Sequence, residues 1–243
     1  MLGRISLNYS PNFTTSKRKK ENIKYLIFHY TGMRSENKAI KRLTNSSSKV
    51  SCHYYIKRNG QIILMVPETY IAWHAGKSNW NKNSFLNKYS IGIEISNKGH
   101  QFGYEKFSKL QVSSLIHLSR YLVKKYNIKK INVLGHSDIA FARKKDPGEK
   151  FPWKLLARKG VGLWHKINSE KLKKFRKKKI HNAEKIKMIN FLNKVGYYTK
   201  NLSKTNLRKL ISSFQRRFRP EVINGKIDRE CLVIAQKLSK LYY

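Results

Sequence analysis

Residues 90–136 read SIGIEISNKGHQFGYEKFSKLQVSSLIHLSRYLVKKYNIKKINVLGH. The stretch opens on clean alternation. Ile91, Ile93 and Ile95 face one side, while Gly92, Glu94 and Ser96 face the other, as in a strand. A carboxylate on the second face of a central strand is unusual and points into something polar. Ser108 and Gln111 then fit a capping box. Val112, Leu115, Leu118, Leu122 and Tyr126 recur at helical spacing, which predicts a helix over 108–126. Ile131 to Leu134 form a second strand that runs straight into Gly135-His136. Strands alternating with helices argue for an α/β layer architecture, and in such folds sites collect at strand ends.

Working outward, IKYLIFHY at 23–30 reads as a buried strand ending at Thr31-Gly32, with His29 near its C-terminal end. HYYIKR (53–58) and QIILMV (61–66) flank Asn59-Gly60, the strongest short hairpin signal. From about 167 the texture changes. KLKKFRKKK at 171–179 is a charge run, read as a linker or an exposed helix. Three short helical patterns follow. Ile186, Ile189 and Leu192 mark the first, which ends near Gly196. Leu207, Leu210, Ile211, Phe214 and Phe218 mark the second, stopped by Pro220. Leu232, Ala235, Leu238 and Leu241 mark the third, with Asp228 as N-cap. The expected organisation is a catalytic domain over 1–166, a basic linker over 167–182 and a small three-helix domain over 183–243.

The 243 residues are 40% hydrophobic and 12% aromatic, enough for a packed core, so the chain is not a disordered polycation. No segment approaches the roughly 20 continuous apolar residues of a membrane span. The N-terminal MLGRISLNYSPNF has no apolar stretch of signal-peptide length. That leads to the expectation of a cytoplasmic protein, or of one at the periplasm or outer-membrane face if a leader is missing from this sequence. Cys52 and Cys231 lack metal-ligand spacing and are expected to be free thiols. The 53 Lys+Arg against 13 Asp+Glu give a net charge of +40. Such charge favours a polyanionic partner, such as nucleic acid, an acidic lipid surface or an acidic wall polymer. It is equally what a Lys-, Asn- and Ile-rich chain carries as ordinary solvated surface. No zinc-finger or RNP-type signature accompanies it, so no nucleic-acid partner is expected.

His29, His136 and Asp146 each sit at a strand end or in a loop just after a strand. Two imidazoles and a carboxylate suit Zn²⁺, and three protein ligands leave a fourth position open, as in catalytic zinc sites. Bound Zn²⁺ lowers the pKa of its water to about 7. A lone His at a strand end is more commonly a packed, hydrogen-bonded residue, and His-x₉-Asp is not a spacing that geometry demands. Glu94 as a base and Lys144 as a charge stabiliser strengthen the metal reading.

Seven segments in this order carry a resemblance: FHYTG (28–32), SCHYYIKRNG (51–60), AWHAG (72–76), SIGIEISN (90–97), GHSDIAFARKKDPG (135–148), FPWKLLARKGVGLW (151–164) and FQRRFRP (214–220) with NGKID (224–228). They resemble the zinc-dependent N-acetylmuramoyl-L-alanine amidases of the amidase-2 family, in the AmiD-type layout. That family shares its fold with peptidoglycan recognition proteins and T7-type lysozyme. The resemblance implies a mixed central β-sheet flanked by helices, followed by a peptidoglycan-binding-like helical domain. It implies one Zn²⁺ per chain on His29, His136 and Asp146, with Glu94 as catalytic base and Lys144 as catalytic lysine. The implied reaction is hydrolysis of the amide between N-acetylmuramic acid and L-alanine, in peptidoglycan or muropeptides including anhydro-muropeptides, during wall turnover and recycling. The alternative is a non-catalytic peptidoglycan-binding module on the same fold, but such relatives lack the zinc ligands. A monomer is expected.

His53, in its SCHYY segment, is expected to be structural or to line the pocket wall. Trp73, His74 and Ala75 are candidates to line the substrate groove, and equally an ordinary packed loop. Asn97 is a further candidate near the site. His117 lies on the long helix, and His100, His165 and His181 are expected to face solvent.

Overall fold

The protein is described by a computed structural model over residues 5–242; residues 1–4 of the N-terminal stretch read for an export signal lie outside it. Ten strands occur in chain order: β1 (Ser6–Leu7), β2 (Phe13–Thr14), β3 (Tyr25–Tyr30), β4 (Tyr54–Ile56), β5 (Ile62–Leu64), β6 (Ile71–Ala72), β7 (Asn79–Trp80), β8 (Asn83–Ser84), β9 (Ser90–Ile95) and β10 (Val133–Gly135). Six of them form the central sheet in the order β1-β5-β4-β9-β3-β10. Only β4 and β5 pair antiparallel in it, and the other four pairings are parallel. The sheet is therefore mixed, and the C-terminal ends of β4, β9, β3 and β10 share one edge.

Among the described residues eight α-helices surround it: α1 (Glu36–Thr44), α2 (Lys109–Lys125), α3 (His136–Ile139), α4 (Trp153–Arg158), α5 (Ser169–Arg176), α6 (Asn182–Val195), α7 (Lys204–Phe218) and α8 (Arg229–Ser239). Ser108 and Gln111 close the expected capping box at the start of α2. Its Leu115, Leu118 and Leu122 pack on the face of the sheet that carries Leu26, Phe28, Ile91, Ile93 and Ile95. The opposite face belongs to Tyr25, Ile27 and Leu134, which share one apolar cluster with Met188, Leu192, Leu210, Phe214 and Ile234 of α6, α7 and α8. The C-terminal helices thus pack as a layer on the sheet.

The hairpin differs in detail from its sequence signal. Lys57 N–H donates to Gln61 O (2.9 Å) and Gly60 N–H to Lys57 O (2.9 Å), so the loop is Arg58-Asn59-Gly60. Gly60 takes the left-handed conformation at φ 83°, and Asn59 does not. This is the three-residue hairpin loop in which one glycine absorbs the strand twist.

Within 167–182 the basic run is helical over Ser169–Arg176. Leu172 there is buried, and Arg176 pairs with Glu230 at 2.5 Å. In α6 the buried stripe is Met188, Leu192 and Val195. Ile186, read as its start, is exposed, because two residues of helix rotate a side chain by about 200°. His165, expected at the surface, is buried and accepts from Ile167 N–H at 3.1 Å. Both cysteines are free and buried.

Candidate active site

The sheet register lines up the chemistry. On adjacent parallel strands Tyr55 pairs with Glu94, and Glu94 with His29. On the other side of β3, Gly135 pairs with Phe28, so the next residue, His136, enters level with His29. Asp146 returns to this edge because Ser137 N–H donates to Asp146 O at 2.8 Å, closing the loop between the two ligand positions. The structure brings His29, His136 and Asp146 together, all three buried. Their facing atoms form a near-equilateral triangle: His29 Nδ1 to His136 Nδ1 2.9 Å, His29 Nδ1 to Asp146 Oδ2 3.1 Å, and His136 Nδ1 to Asp146 Oδ2 2.9 Å.

The protons of these rings can be placed from their outer partners. His136 Nε2 lies 3.2 Å from Ala75 O, which only accepts, and 3.5 Å from Arg143 Nη2, which only donates; the nearer carbonyl places the hydrogen on Nε2. For His29 the logic runs through two further side chains. Ser90 Oγ–H donates to Leu86 O (2.6 Å), which leaves the Ser90 oxygen to accept from His74 Nε2–H (3.1 Å). His74 Nδ1 then has a free lone pair, which accepts from His29 Nε2–H (3.0 Å). Both inward Nδ1 atoms therefore present lone pairs, toward each other and toward a carboxylate oxygen. Three such donors converging on one point without a proton between them call for a cation. A tetrahedral centre with bonds of about 2.0 Å separates its ligands by about 3.3 Å, close to the edges of this triangle.

Charge supports the same arrangement. Burial and the neighbouring His136 hold the His29 imidazole down at about 4, against the pull of Asp146. Burial alone would raise the Asp146 carboxyl, but His136 and His29 at its oxygen hold it well below the usual carboxylate range. Burial, then His29 and His53, keep His74 well below the usual histidine value, so its ring is neutral, as the hydrogen-bond chain requires. Burial and, secondarily, Asp146 push Glu94 up to about 8, while Lys144 pulls it down. Glu94 Oε2 is buried without a hydrogen-bond partner among the described residues.

The triad opens on a cleft of about 920 Å³, bordered by Tyr30, Arg42, His74, Glu94, Arg143 and Lys144 among others. A larger groove of about 1180 Å³ lies between the β7–β8 hairpin and the end of α6, and it gathers no acid or histidine. Of the expected groove residues, His74 reaches the cleft. Trp73, Ala75 and Asn97 do not border it. Ala75 instead supports His136 through its carbonyl, and Trp73 Nε1–H donates to Thr14 Oγ1 at 3.1 Å. Asn97 is buried and ties its own loop, donating to Glu105 O (2.9 Å) and accepting from Gly99 N–H (3.0 Å). His53 is fully buried, accepts from Gly92 N–H at 3.0 Å through Nδ1, and lies against the buried Arg18. The AWHAG segment is thus a support for two histidines.

Sequence reading did not single out Ser90, Arg42, Arg143 or Asp138. Arg143 is held by Ala75 O (2.6 Å) and Lys77 O (2.7 Å). Asp138 accepts from Gly135 N–H at 2.8 Å, just before His136. The one available signal was Asp138 itself, a rare acid two residues from a ligand in a chain with 13 acids.

Comparison with known proteins places the chain in a family. AmiD of Escherichia coli K12, an N-acetylmuramoyl-L-alanine amidase, is 34% identical over 233 aligned residues, spanning 90% of this chain and 83% of its own. The solved complex of E. coli AmiD with anhydro-N-acetylmuramic acid-L-Ala-D-γ-Glu-L-Lys matches with TM-score 0.79 and 33% identity over 94% of this chain and 92% of that one. AmpDh3 of Pseudomonas aeruginosa, in complex with anhydromuramic pentapeptide, matches with TM-score 0.80 and 29% identity over 94% of each chain. The sequence profile of the N-acetylmuramoyl-L-alanine amidase family matches residues 19–149, more than half of the chain. The chain belongs to the amidase-2 family of N-acetylmuramoyl-L-alanine amidases.

Proposed function

We propose that this amidase cleaves the amide between the lactyl group of N-acetylmuramic acid and L-alanine, with one zinc ion held by His29, His136 and Asp146. The observation that carries the metal is the convergence of two Nδ1 lone pairs and one carboxylate oxygen, with the ring hydrogens fixed outward. Nitrogen and carboxylate donors in a set of three suit zinc, with one position left for substrate or water. When bound, the ion supplies Lewis acidity and a water acidified to near neutrality.

The chain supplies the rest. Glu94 accepts the proton of the attacking water and delivers it to the leaving alanine nitrogen; its burial strengthens it as a proton acceptor. The Lys144 ammonium borders the same cleft as Glu94 and stabilises the oxyanion that develops on the carbonyl. Arg42, Arg143, Lys144 and Lys145 border the cleft, and among the described residues its only carboxylates are Glu94 and Asp146. That lining favours a substrate bearing free carboxylates, as a stem peptide does. Muropeptides, including the anhydro form bound to the E. coli and P. aeruginosa relatives, fit this reading in wall turnover and recycling.

The test is metal content together with chelator-sensitive release of stem peptide from purified muropeptides. One zinc per chain and zinc-restored release are expected. Release that persists at full rate in the metal-free protein would overturn the reading.

A further inference from the structure

Residues 136–146 carry His136, Lys144 and Asp146, and inside the segment they are ordered by the short α3, a turn at Ala140–Lys144 and the Ser137–Asp146 backbone bond. Besides the Ala75 and Lys77 carbonyls that hold His136 and Arg143, the segment has a set of partners on α7, 60 to 80 residues downstream. Ser213 Oγ–H donates to Ser137 O (2.7 Å), and Lys209 Nζ donates to Ala142 O (2.9 Å). Arg217 pairs with Asp138 at 2.5 Å, both nearly fully buried, and donates to Val133 O at 3.0 Å. Arg216 lies 3.7 Å from Glu149, just past the loop. Tyr197, beyond the end of α6, donates its hydroxyl to Asp138 Oδ1 at 2.7 Å. Asp138 passes this hold on, because its other oxygen caps Gly135 N–H one residue before the ligand His136.

The pattern is helical. Positions 209, 213, 216 and 217 fall within about 100° of one helix face. The apolar residues Leu210, Ile211, Phe214 and Phe218 form the neighbouring face and join the cluster under the sheet. One helix thus carries two stripes, an apolar one that seats it and a polar one aimed at the loop between β10 and Glu149. Arg217 is further fixed by the Trp153 ring, 4.2 Å from its guanidinium carbon.

We infer that α7 is a brace for the metal-ligand loop, with Ser213, Arg217 and Tyr197 as positioning residues acting through Ser137 and Asp138. The C-terminal layer then sets how tightly the site holds its ion, whatever else it binds. The inference rests on reading His29, His136 and Asp146 as the ligands. Outer partners that orient metal ligands typically carry about 10- to 100-fold in metal affinity.

The experiment uses the full chain stripped of metal. Zinc dissociation constants come from competition with a chromophoric chelator, and the thermal midpoint of the metal-free protein is recorded alongside. Arg217→Met is expected to weaken zinc about 10- to 100-fold, and the Tyr197→Phe/Ser213→Ala double variant by at least several-fold. Arg176→Met serves as control: it breaks a C-terminal ion pair with Glu230 that does not reach the loop. It should lower the thermal midpoint and leave zinc affinity unchanged. Should Arg217→Met fail to fold, the double variant, which deletes only two hydroxyls, decides. Wild-type zinc affinity in the double variant, or equal weakening in the control, overturns the brace. A wild-type chain that binds no zinc overturns the ligand assignment and the brace with it.

Discussion

His29 and Glu94 stand on adjacent strands in the middle of the sheet, with β9 flanked by β4 and β3, and β3 flanked by β9 and β10. His136, Lys144 and Asp146 stand on a loop that no ladder holds. The first half of the site is fixed by register, so moving one residue means breaking backbone pairing on both sides. The second half is held by one internal backbone bond, by the Ala75 and Lys77 carbonyls, and by side chains from a helix 60 or more residues downstream. The same contrast separates the two groups proposed for catalysis, since the base rides on the sheet and the cation on the loop. Rigidity in this site is therefore local on one side and imported on the other.

The largest expected effect falls on the sheet half. Glu94→Gln keeps size and removes the proton acceptor, so turnover should fall about 100- to 10 000-fold with zinc still bound. Full zinc occupancy with less than a tenfold loss would remove Glu94 from the proton path. Lys144→Met should lower kcat about 100- to 1000-fold, with Lys144→Arg recovering part of it. The comparison sharpens when each is combined with Arg217→Met. Glu94 shares no partner with α7, so its effect should add to that of Arg217→Met in log rate. Lys144 shares the braced loop, so its effect should not add. Additivity in both cycles would mean that the two halves are held alike.

How far the sequence reached follows the same division. The strand–helix–strand unit and the three residues that converge, His29, His136 and Asp146, were legible, because alternation, capping and ordered motifs are local signals. FQRRFRP was legible as a resemblance to a wall-binding-like segment, but its Arg217 turns inward onto Asp138, which needs the tertiary fold to see. His74 was read as a groove candidate. Its connection to His29 depends on which ring nitrogen faces which partner, and no spacing encodes that. Ile186 and His165 were misplaced for a simpler reason: a Lys- and Ile-rich helix offers more than one apolar stripe, and a histidine outside any motif can still be buried against a ring such as that of Trp164.

The hydrogen-bond chain behind His29 gives smaller and more discriminating effects. His74→Phe keeps a ring over Gly92, whose backbone leaves no room for a side chain of its own: a Cβ there would stand 2.4 Å from His74 Cγ. The variant loses the acceptor for His29 Nε2–H, and a buried donor without a partner costs about 1–3 kcal/mol. Zinc affinity should fall about 10- to 100-fold, measured by the same chelator competition. His74→Asn, whose amide oxygen can accept from His29, should recover part of it. Equal loss in both variants would show that His74 acts by filling space alone.

Ser90→Ala is the mildest break, because it acts one step further out. Without the hydroxyl, His74 Nε2–H loses its acceptor, and the ring can lower that loss by moving its hydrogen to Nδ1. His74 would then face His29 with a donor, and His29 would have to move its own hydrogen onto Nδ1, the atom that faces His136 and Asp146. A single small deletion at the base of the chain is thereby converted into competition between a proton and the metal. The expected weakening is up to about 10-fold, the lower end for an outer partner. It should be absent in Ser90→Thr, which retains the hydroxyl. No change in zinc affinity for Ser90→Ala, with His74→Phe still impaired, would confine the support of His29 to the first histidine behind it.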